Sequence, residues 1–306
     1  MKTLVTGSAG RLGAALVRRL RAAGEAVIGI DVEASPTTDQ VASVTDRTRL
    51  RTLLTGVDAV LHTATLHKPQ VATHSRQQFI DTNVSGTLAL LEAAVDARVG
   101  SFVFTSTTSI FGQALRAGPD QAAVWVTEDL APVPRNIYGV TKTAAEQLCE
   151  LIHRREGLPV LILRTSRFFA EIDDDEARQA AMDDGNLKVV EYLHRRVDIE
   201  DVVEAHLLAR SRAAALAFDR FIVSATTPFE REDAQALRQS LPGLIERRLP
   251  GILARLEALG WRLPQGIDRI YDNGRARDRL GWAPKHDFET VLTRVEQTGR
   301  WRGPLA

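Results

Sequence analysis

The sequence predicts an α/β protein, a doubly wound parallel sheet with helices on both faces, together with a smaller, mostly C-terminal unit. Three observations predict it. From Met1 to about Arg164, short β-branched or apolar runs alternate with longer helical patterns, the order that repeated βαβ units require. Gly7, Gly10 and Gly13 separate the first run from the first helical pattern. After Arg164 the alternation weakens, and Pro228, Pro242, Pro250 and Pro264 punctuate short helical stretches.

The elements follow in order. Lys2–Thr6 is β-branched and reads as a buried strand. It leads through the glycines into an apolar helical pattern at Leu16, Val17 and Leu20. A strand, a glycine turn and a helix in that order form a dinucleotide site of the Rossmann type. Gly7 permits the tight turn, Gly10 the approach of a pyrophosphate, and Gly13 the close packing of helix on strand. The helix N-terminus, at Arg11 and Leu12, offers backbone N–H groups to phosphate. A second strand, Ala26–Ile30, ends at Asp31, 18 positions after Gly13, where an acid accepts from the adenosine ribose hydroxyls. Asp31 favours NAD over NADP: a carboxylate repels a 2′-phosphate, and Val32–Pro36 contains no arginine to receive one.

Further strands are expected at Ser43–Asp46, Ala59–His62, Ser101–Thr105 and Val160–Leu163, and helices at Thr48–Leu54, Phe79–Ala97 and Tyr138–Glu156. Glu171–Glu176 reads as a solvated acidic loop. The Ala- and Leu-rich stretch Val202–Ala217 reads as a helix, and Phe221–Ser224 as a strand rejoining the main sheet. The expected division is therefore a nucleotide-binding domain of residues 1–164 with 196–224 returning to it, and a substrate domain of 165–195 and 225–306. Ligands of such sheets bind at the carboxyl ends of the strands.

Composition narrows the function classes. The 306 residues are 44% hydrophobic and 25% charged, with 39 basic and 39 acidic side chains. A net charge of zero provides no field for nucleic acid or an anionic membrane. A single cysteine, Cys149, forms no intramolecular disulfide and suits a reducing compartment. No signal peptide precedes the first strand and no apolar run is long enough to span a bilayer, so a cytoplasmic protein is expected. His62, His67 and His74 lack metal-ligand spacing, so no metal is expected.

Tyr138 and Lys142 stand four apart at the start of a predicted helix, a spacing that puts both on one face. A neighbouring ammonium favours the phenolate and lowers the phenol toward neutrality, which would make Tyr138 a general acid–base. Thr107, at the end of the fifth expected strand, offers a hydroxyl to a substrate oxygen.

With these residues in place, the chain resembles the extended short-chain dehydrogenase/reductases, in the branch of the nucleotide-sugar epimerases and dehydratases. The likeness rests on Gly7-Ser8-Ala9-Gly10-Arg11-Leu12-Gly13, on Asp46, on His62-Thr63-Ala64-Thr65 and on Asn83-Val84-Ser85-Gly86-Thr87. It extends to Thr107, Tyr138 and Lys142, to Asp198-Ile199-Glu200-Asp201-Val202 and to Leu280-Gly281-Trp282-Ala283-Pro284. The resemblance implies hydride transfer between a nicotinamide and a substrate hydroxyl or ketone. It gives proton transfer to Tyr138, the nicotinamide ribose to Lys142 and the substrate oxygen to Thr107. It places Asp46 at the adenine, His62, Ala64 and Asn83 beside the cofactor, and Thr108 beside the substrate. It also implies a homodimer built from the helices within Phe79–Ala97 and Tyr138–Glu156.

Two departures from the family pattern bear on the reaction. Thr108 and Ser109 follow Thr107 where dehydratases carry Asp-Glu, which argues against 4,6-dehydration. The family's R-x-x-N-x-x-G-P segment reads Arg164-Thr165-Ser166-Arg167-Phe168-Phe169-Ala170-Glu171. Arg167 then replaces the Asn that meets a nucleotide diphosphate and is expected, with Arg196, to bind a phosphate or carboxylate. The expected function is a UDP-glucose-type 4-epimerase acting on a small sugar-derived substrate. The alternatives are an NAD(P)-dependent dehydrogenase or reductase of a smaller sugar, sugar acid or other carbonyl compound, and a cofactor-binding sensor without turnover.

Overall fold

The computed structural model describes residues 1–115, 118, 121–169 and 182–305; the acidic stretch Glu171–Glu176 lies outside them. In chain order the elements are β1 (Lys2–Thr6), α1 (Arg11–Ala22), β2 (Ala26–Asp31), β3 (Gln40–Val41), α2 (Arg47–Leu53) and β4 (Ala59–His62). Next come α3 (Arg76–Ile80), α4 (Gly86–Asp96), β5 (Ser101–Thr107), β6 (Val124–Val126), α5 (Ile137–Glu156) and β7 (Val160–Thr165). Then follow α6 (Asp184–Val190), α7 (Ile199–Leu216), β8 (Phe218–Val223), α8 (Ala234–Gln239), α9 (Leu241–Arg248) and α10 (Ile252–Ala258). The last are β9 (Arg269–Tyr271) and α11 (Phe288–Thr298). The chain divides into two compact units. The first is Met1–Gly112, Pro132–Arg164 and Val203–Phe221; the second is Gln113–Ala131, Thr165–Val202 and Ile222–Ala306.

The main sheet has seven strands in the order β3-β2-β1-β4-β5-β7-β8, and the pairs β2–β3, β1–β2, β1–β4 and β4–β5 are parallel. The architecture is Rossmann-type. Strand order reverses between β1 and β4, whose register sets Thr6 beside His62, and that reversal opens the crevice in which such sheets take ligands. β4, β5 and β7 are buried along their whole length, as parallel strands covered on both faces must be. Leu4, Val60, Phe102 and Ile162 of the strands pack with Leu90 and Leu91 of α4 and Ala145 and Cys149 of α5. Each of the buried Leu, Val, Ile and Phe side chains contributes about 1.5–3 kcal/mol.

Two expected elements differ in the structure. The third strand is Gln40–Val41, whereas Ser43–Asp46 is a turn. Ser43 Oγ accepts from Thr45 N (3.1 Å) and Ser43 O from Asp46 N (3.1 Å). Local side-chain bonds of this kind outcompete a ladder. The long helix expected over Phe79–Ala97 carries within it a π-helical turn, Asp81–Ser85, where Asn83 is 2% exposed. Inserted π turns often mark functional positions.

The second unit packs Tyr192, Leu237, Leu244, Ile252, Ile270 and Phe288 into its own core. Its two-stranded parallel sheet joins β6 to β9; three-residue strands are too short to leave a periodic signal. Asp201 caps its C-terminal stretch, accepting from Lys285 N (2.9 Å), His286 N (3.0 Å) and His286 Nδ1 (3.0 Å). Among the described residues, no helix is long and apolar enough to cross a membrane.

Candidate active site

The carboxyl ends of β1, β2, β4 and β5 and the N-terminus of α5, all in the first unit, gather the expected residues. Gly7 has φ +71°, and a Cβ there would lie 2.7 Å from Ala64 N. A Cβ on Gly13 would lie 2.0 Å from Gly7 O. Backbone thus fills both places, and only glycine fits. At Gly10 a Cβ would meet only Gly7 O, at 3.3 Å. Gly10 begins α1 without any side-chain cap, so the first-turn N–H groups, Arg11 and Leu12 among them, have no side-chain acceptor from the cap position. Leu12 is buried and Arg11 exposed. Asp31, at the end of β2, accepts from Ala9 N (2.9 Å) and Glu33 N (3.1 Å). One bond to each oxygen leaves each a further lone pair. Asp46 is exposed and caps α2 through Arg49 N (3.0 Å).

The side chains of His62 and Asn83 are held in hydrogen bonds to neighbouring segments. Ala64 N donates to Thr6 Oγ1 (3.1 Å), and Thr6 Oγ1 lies 2.7 Å from His62 Nδ1. His62 Nε2 lies 2.9 Å from Thr87 Oγ1, which donates to Asn83 O (2.7 Å). This chain of donors fixes the proton on Nε2. His62 is 1% exposed, and burial together with the nearby Lys142 charge holds it down at about 3. Both ring nitrogens are used, so none remains for a ligand. Asn83 is equally saturated. Its amide donates to Leu66 O (2.8 Å) and Thr141 Oγ1 (3.0 Å), and its carbonyl accepts from Leu66 N (2.8 Å) and Thr65 Oγ1 (3.0 Å). The π turn thereby ties the segment after β4 to α5.

Asn136 caps α5, accepting from Gly139 N (2.9 Å), and the helix brings Tyr138 and Lys142 to the end of β5. Thr107 Oγ1 accepts from Ser109 N (3.1 Å) and hydrogen-bonds the Tyr138 phenol, which favours the phenolate. Thr108 opens the turn after β5 and is buried. Burial nevertheless dominates Tyr138 and pushes it up to about 12, so the expected lowering of the phenol is not present among these residues. The same burial pushes Lys142 down to about 7, so near neutrality the lysine carries its charge only part of the time. Lys142 is 2% exposed, and its Nζ rests 4.2 Å from the Phe104 ring centroid, a cation–π contact. Among the described residues its ammonium has no hydrogen-bond acceptor. A buried ammonium with three unused donors, an uncapped helix start and a free acidic lone pair fit a dinucleotide: its ribose hydroxyls, pyrophosphate and second ribose respectively. Phe104 was not anticipated, although alternation along β5 puts it on the opposite face from Val103.

Arg167 and Arg196 lie in the second unit, joined by a parallel bridge. Glu191 binds Arg167 NH1 (2.9 Å), Arg195 NH2 (2.7 Å) and Arg196 NH2 (2.7 Å), and the arginines hold its carboxyl far below the usual range. Arg196 is 1% exposed and also donates to Phe169 O (2.8 Å). Its Nε and both terminal nitrogens are engaged by protein. Arg167 keeps one third of its side chain exposed.

A sequence profile of the NAD dependent epimerase/dehydratase family matches residues 3–222. The chain is 32% identical over 185 residues to the uncharacterized UDP-glucose epimerase YtcB of Bacillus subtilis (strain 168), covering 54% of this chain and 55% of YtcB. It thus spans about half the length of such curated relatives. It is 25% identical to a 3-beta-hydroxysteroid dehydrogenase of Mycolicibacterium neoaurum, over 95% of this chain and 89% of that one. Among solved structures it is similar to UDP-N-acetylglucosamine 4-epimerase from Bacillus cereus, with TM-score 0.67, 19% identity and coverage of 98% and 99%. At that identity the likeness bears on the fold alone.

Proposed function

The chain belongs to the NAD dependent epimerase/dehydratase family, and from that premise we propose that it is a nucleotide-sugar 4-epimerase of the UDP-glucose type. The carrying observation is the set of Thr107, Tyr138 and Lys142 at the end of β5: a phenol hydrogen-bonded to a threonine, one helical turn before a buried ammonium that has no acceptor among the described residues. NAD, when bound, accepts a hydride from a sugar carbon and returns it. Tyr138 Oη exchanges the proton of the substrate oxygen, Thr107 Oγ1 orients that oxygen, and Lys142 Nζ holds ribose. A phenol held up at about 12 is protonated at neutrality, the form that delivers a proton to a keto oxygen; the reverse half-reaction needs the phenolate, which Thr107 favours. Gly7, Gly10, Arg11, Leu12, Gly13, Asp31 and Asp46 take the rest of the cofactor in this reading, with Ala64 beside it and Thr108 and Arg167 toward the substrate.

A second reading is a dehydrogenase of a smaller carbonyl substrate. It is favoured by Arg167, whose part-exposed guanidinium suits a phosphate or carboxylate, and by the relative of dehydrogenase type that matches along 95% of this chain. We also propose a cytoplasmic homodimer. Ile80 of α3 and Val140 and Leu151 of α5 are 40%, 48% and 41% exposed, and large apolar side chains on neighbouring helices suit an isologous contact.

The test is to incubate the protein with NAD and, separately, nucleotide sugars and free sugar acids, following absorbance of the reduced cofactor and product by NMR. Interconversion of two epimers without net reduced cofactor supports the epimerase. Stoichiometric reduced cofactor with one substrate overturns it in favour of the dehydrogenase.

A further inference from the structure

One face of β5 is turned toward α5. Alternation along the strand puts Phe102, Phe104 and Ser106 on that face and Val103 and Thr105 on the other, where Thr105 Oγ1 lies 2.7 Å from His206 Nε2 of α7. Ser106 Oγ donates to Glu146 Oε1 (2.5 Å), and Arg164 NH2 of β7 donates to Glu146 Oε2 (2.8 Å). These bonds anchor α5 on the sheet. One turn earlier on the same helix, Lys142 Nζ stands 4.2 Å from the centroid of the Phe104 ring. Phe104 is fully buried, and Lys142 is 2% exposed. The ring is itself held. His62 lies opposite Phe104 in the β4–β5 register, their ring centroids are 5.6 Å apart, and Thr6 and Thr87 fix the imidazole at both nitrogens. Any large apolar side chain would fill this part of the core; only an aromatic face attracts an ammonium.

We propose that Phe104 is a positioning residue for NAD: its ring face seats the Lys142 ammonium and leaves the lysine donors on the far side of the nitrogen for the nicotinamide ribose. The inference rests on the reading of this site as an NAD site. An ammonium carries three N–H donors and a flexible four-carbon stem. A carboxylate in the place of the ring would hold it by hydrogen bonds that a ribose hydroxyl would have to displace. The ring has no lone pair. It attracts the charge through its quadrupole, engages only the side of the nitrogen that faces it, and competes with no acceptor on the ligand. Among the described residues the ammonium has no other seat. The stem is therefore ordered before the cofactor arrives, and less freedom is lost when the ribose binds. Phe104 touches no cofactor atom in this account; it acts through Lys142.

The test is a double-mutant cycle on NAD affinity, measured by calorimetry on the intact protein at pH 6, where Lys142 is mostly charged. F104L keeps an apolar side chain in the core and removes the π face; the dissociation constant for NAD should rise about tenfold. In the K142M background the same change should weaken binding by less than about twofold, because the ring then has no cation to seat. A ring that serves packing alone would weaken binding equally in both backgrounds, and that result overturns the proposal. A series of fluorinated phenylalanines at position 104 keeps the shape of the ring and withdraws charge from its face. Affinity that weakens with each added fluorine supports the seat, and affinity indifferent to fluorine overturns it. The series decides by itself where F104L folds poorly or K142M binds too weakly to complete the cycle. Wild-type protein that binds no NAD fails the functional reading, and the proposal with it. Wild-type binding together with either negative result leaves the NAD site standing and removes Phe104 from it.

Discussion

At the scale of the residue, the proposed chemistry rests on one oxygen. Tyr138 Oη is hydrogen-bonded to Thr107, whose oxygen also accepts from Ser109 N. Tyr138→Phe removes that proton carrier and leaves the backbone turn, Asp31 and Lys142 in place. Turnover should fall by about 10²–10⁴-fold, the range for losing a general acid–base, while NAD affinity stays within about twofold; parallel rate and binding measurements check both. The expectation that Lys142 alone lowers the phenol overlooks that the lysine is as buried as the tyrosine. Desolvation penalises ammonium and phenolate alike, and the four-residue spacing carries no information about depth.

At the scale of the element, α5 is the piece that assembles the site. It starts at a defined residue because Asn136 caps it, and Tyr138 is its second residue, where fraying would be felt most. Asn136→Ala should cost about 1 kcal/mol of stability and lower turnover more than that loss explains, because the first turn carries the phenol. Thermal melts set beside initial rates distinguish the two effects. The helix itself is legible from apolar spacing and its C-terminal glycine. The π turn before α4 is not, since a single extra residue in one turn leaves the average period nearly unchanged. Asn83 is singled out by its segment, but its role as a saturated strut emerges only when Leu66 and Thr141 are brought to it.

At the scale of the whole molecule, histidines set opposite limits on stability: burial lowers His62 and His194, and pairing raises His286. His62 is held down at about 3 in the fold and returns to about 6.5 when unfolded. The unfolded chain then binds the extra proton, and stability falls as pH drops below 6.5, by about 1.4 kcal/mol per pH unit. His286 is raised, chiefly by its bond to Asp201. Its contribution is complete below the unfolded value and is lost as pH rises through the folded one. Melting temperature should therefore peak near neutrality. His286→Ala should remove part of the alkaline decline and leave the acid limb, readable by calorimetry across pH 4–9. Assembly is tested on the same scale: Val140→Asp places a charge on an exposed apolar helix face and should turn a dimer into a monomer in light scattering.

The sequence by itself determined the strand–turn–helix at Gly7–Gly13 and the alternation that makes a parallel sheet, and it singled out Thr107, Tyr138 and Lys142 as the proposed catalytic set. These are local facts, set by backbone sterics, side-chain period and residue chemistry within a few positions. Tertiary structure alone decided which polar groups remain available. Arg196 and Arg167 are indistinguishable as arginines in a sequence; both bind Glu191, but Arg196 is buried and also meets Phe169 O, whereas a third of the Arg167 side chain stays exposed. His62 is closed between two threonines from distant segments, and Glu146 finds Ser106 and Arg164 across 40 and 18 positions. Burial and hydrogen-bond saturation depend on neighbours that the fold supplies, and charge state follows from both.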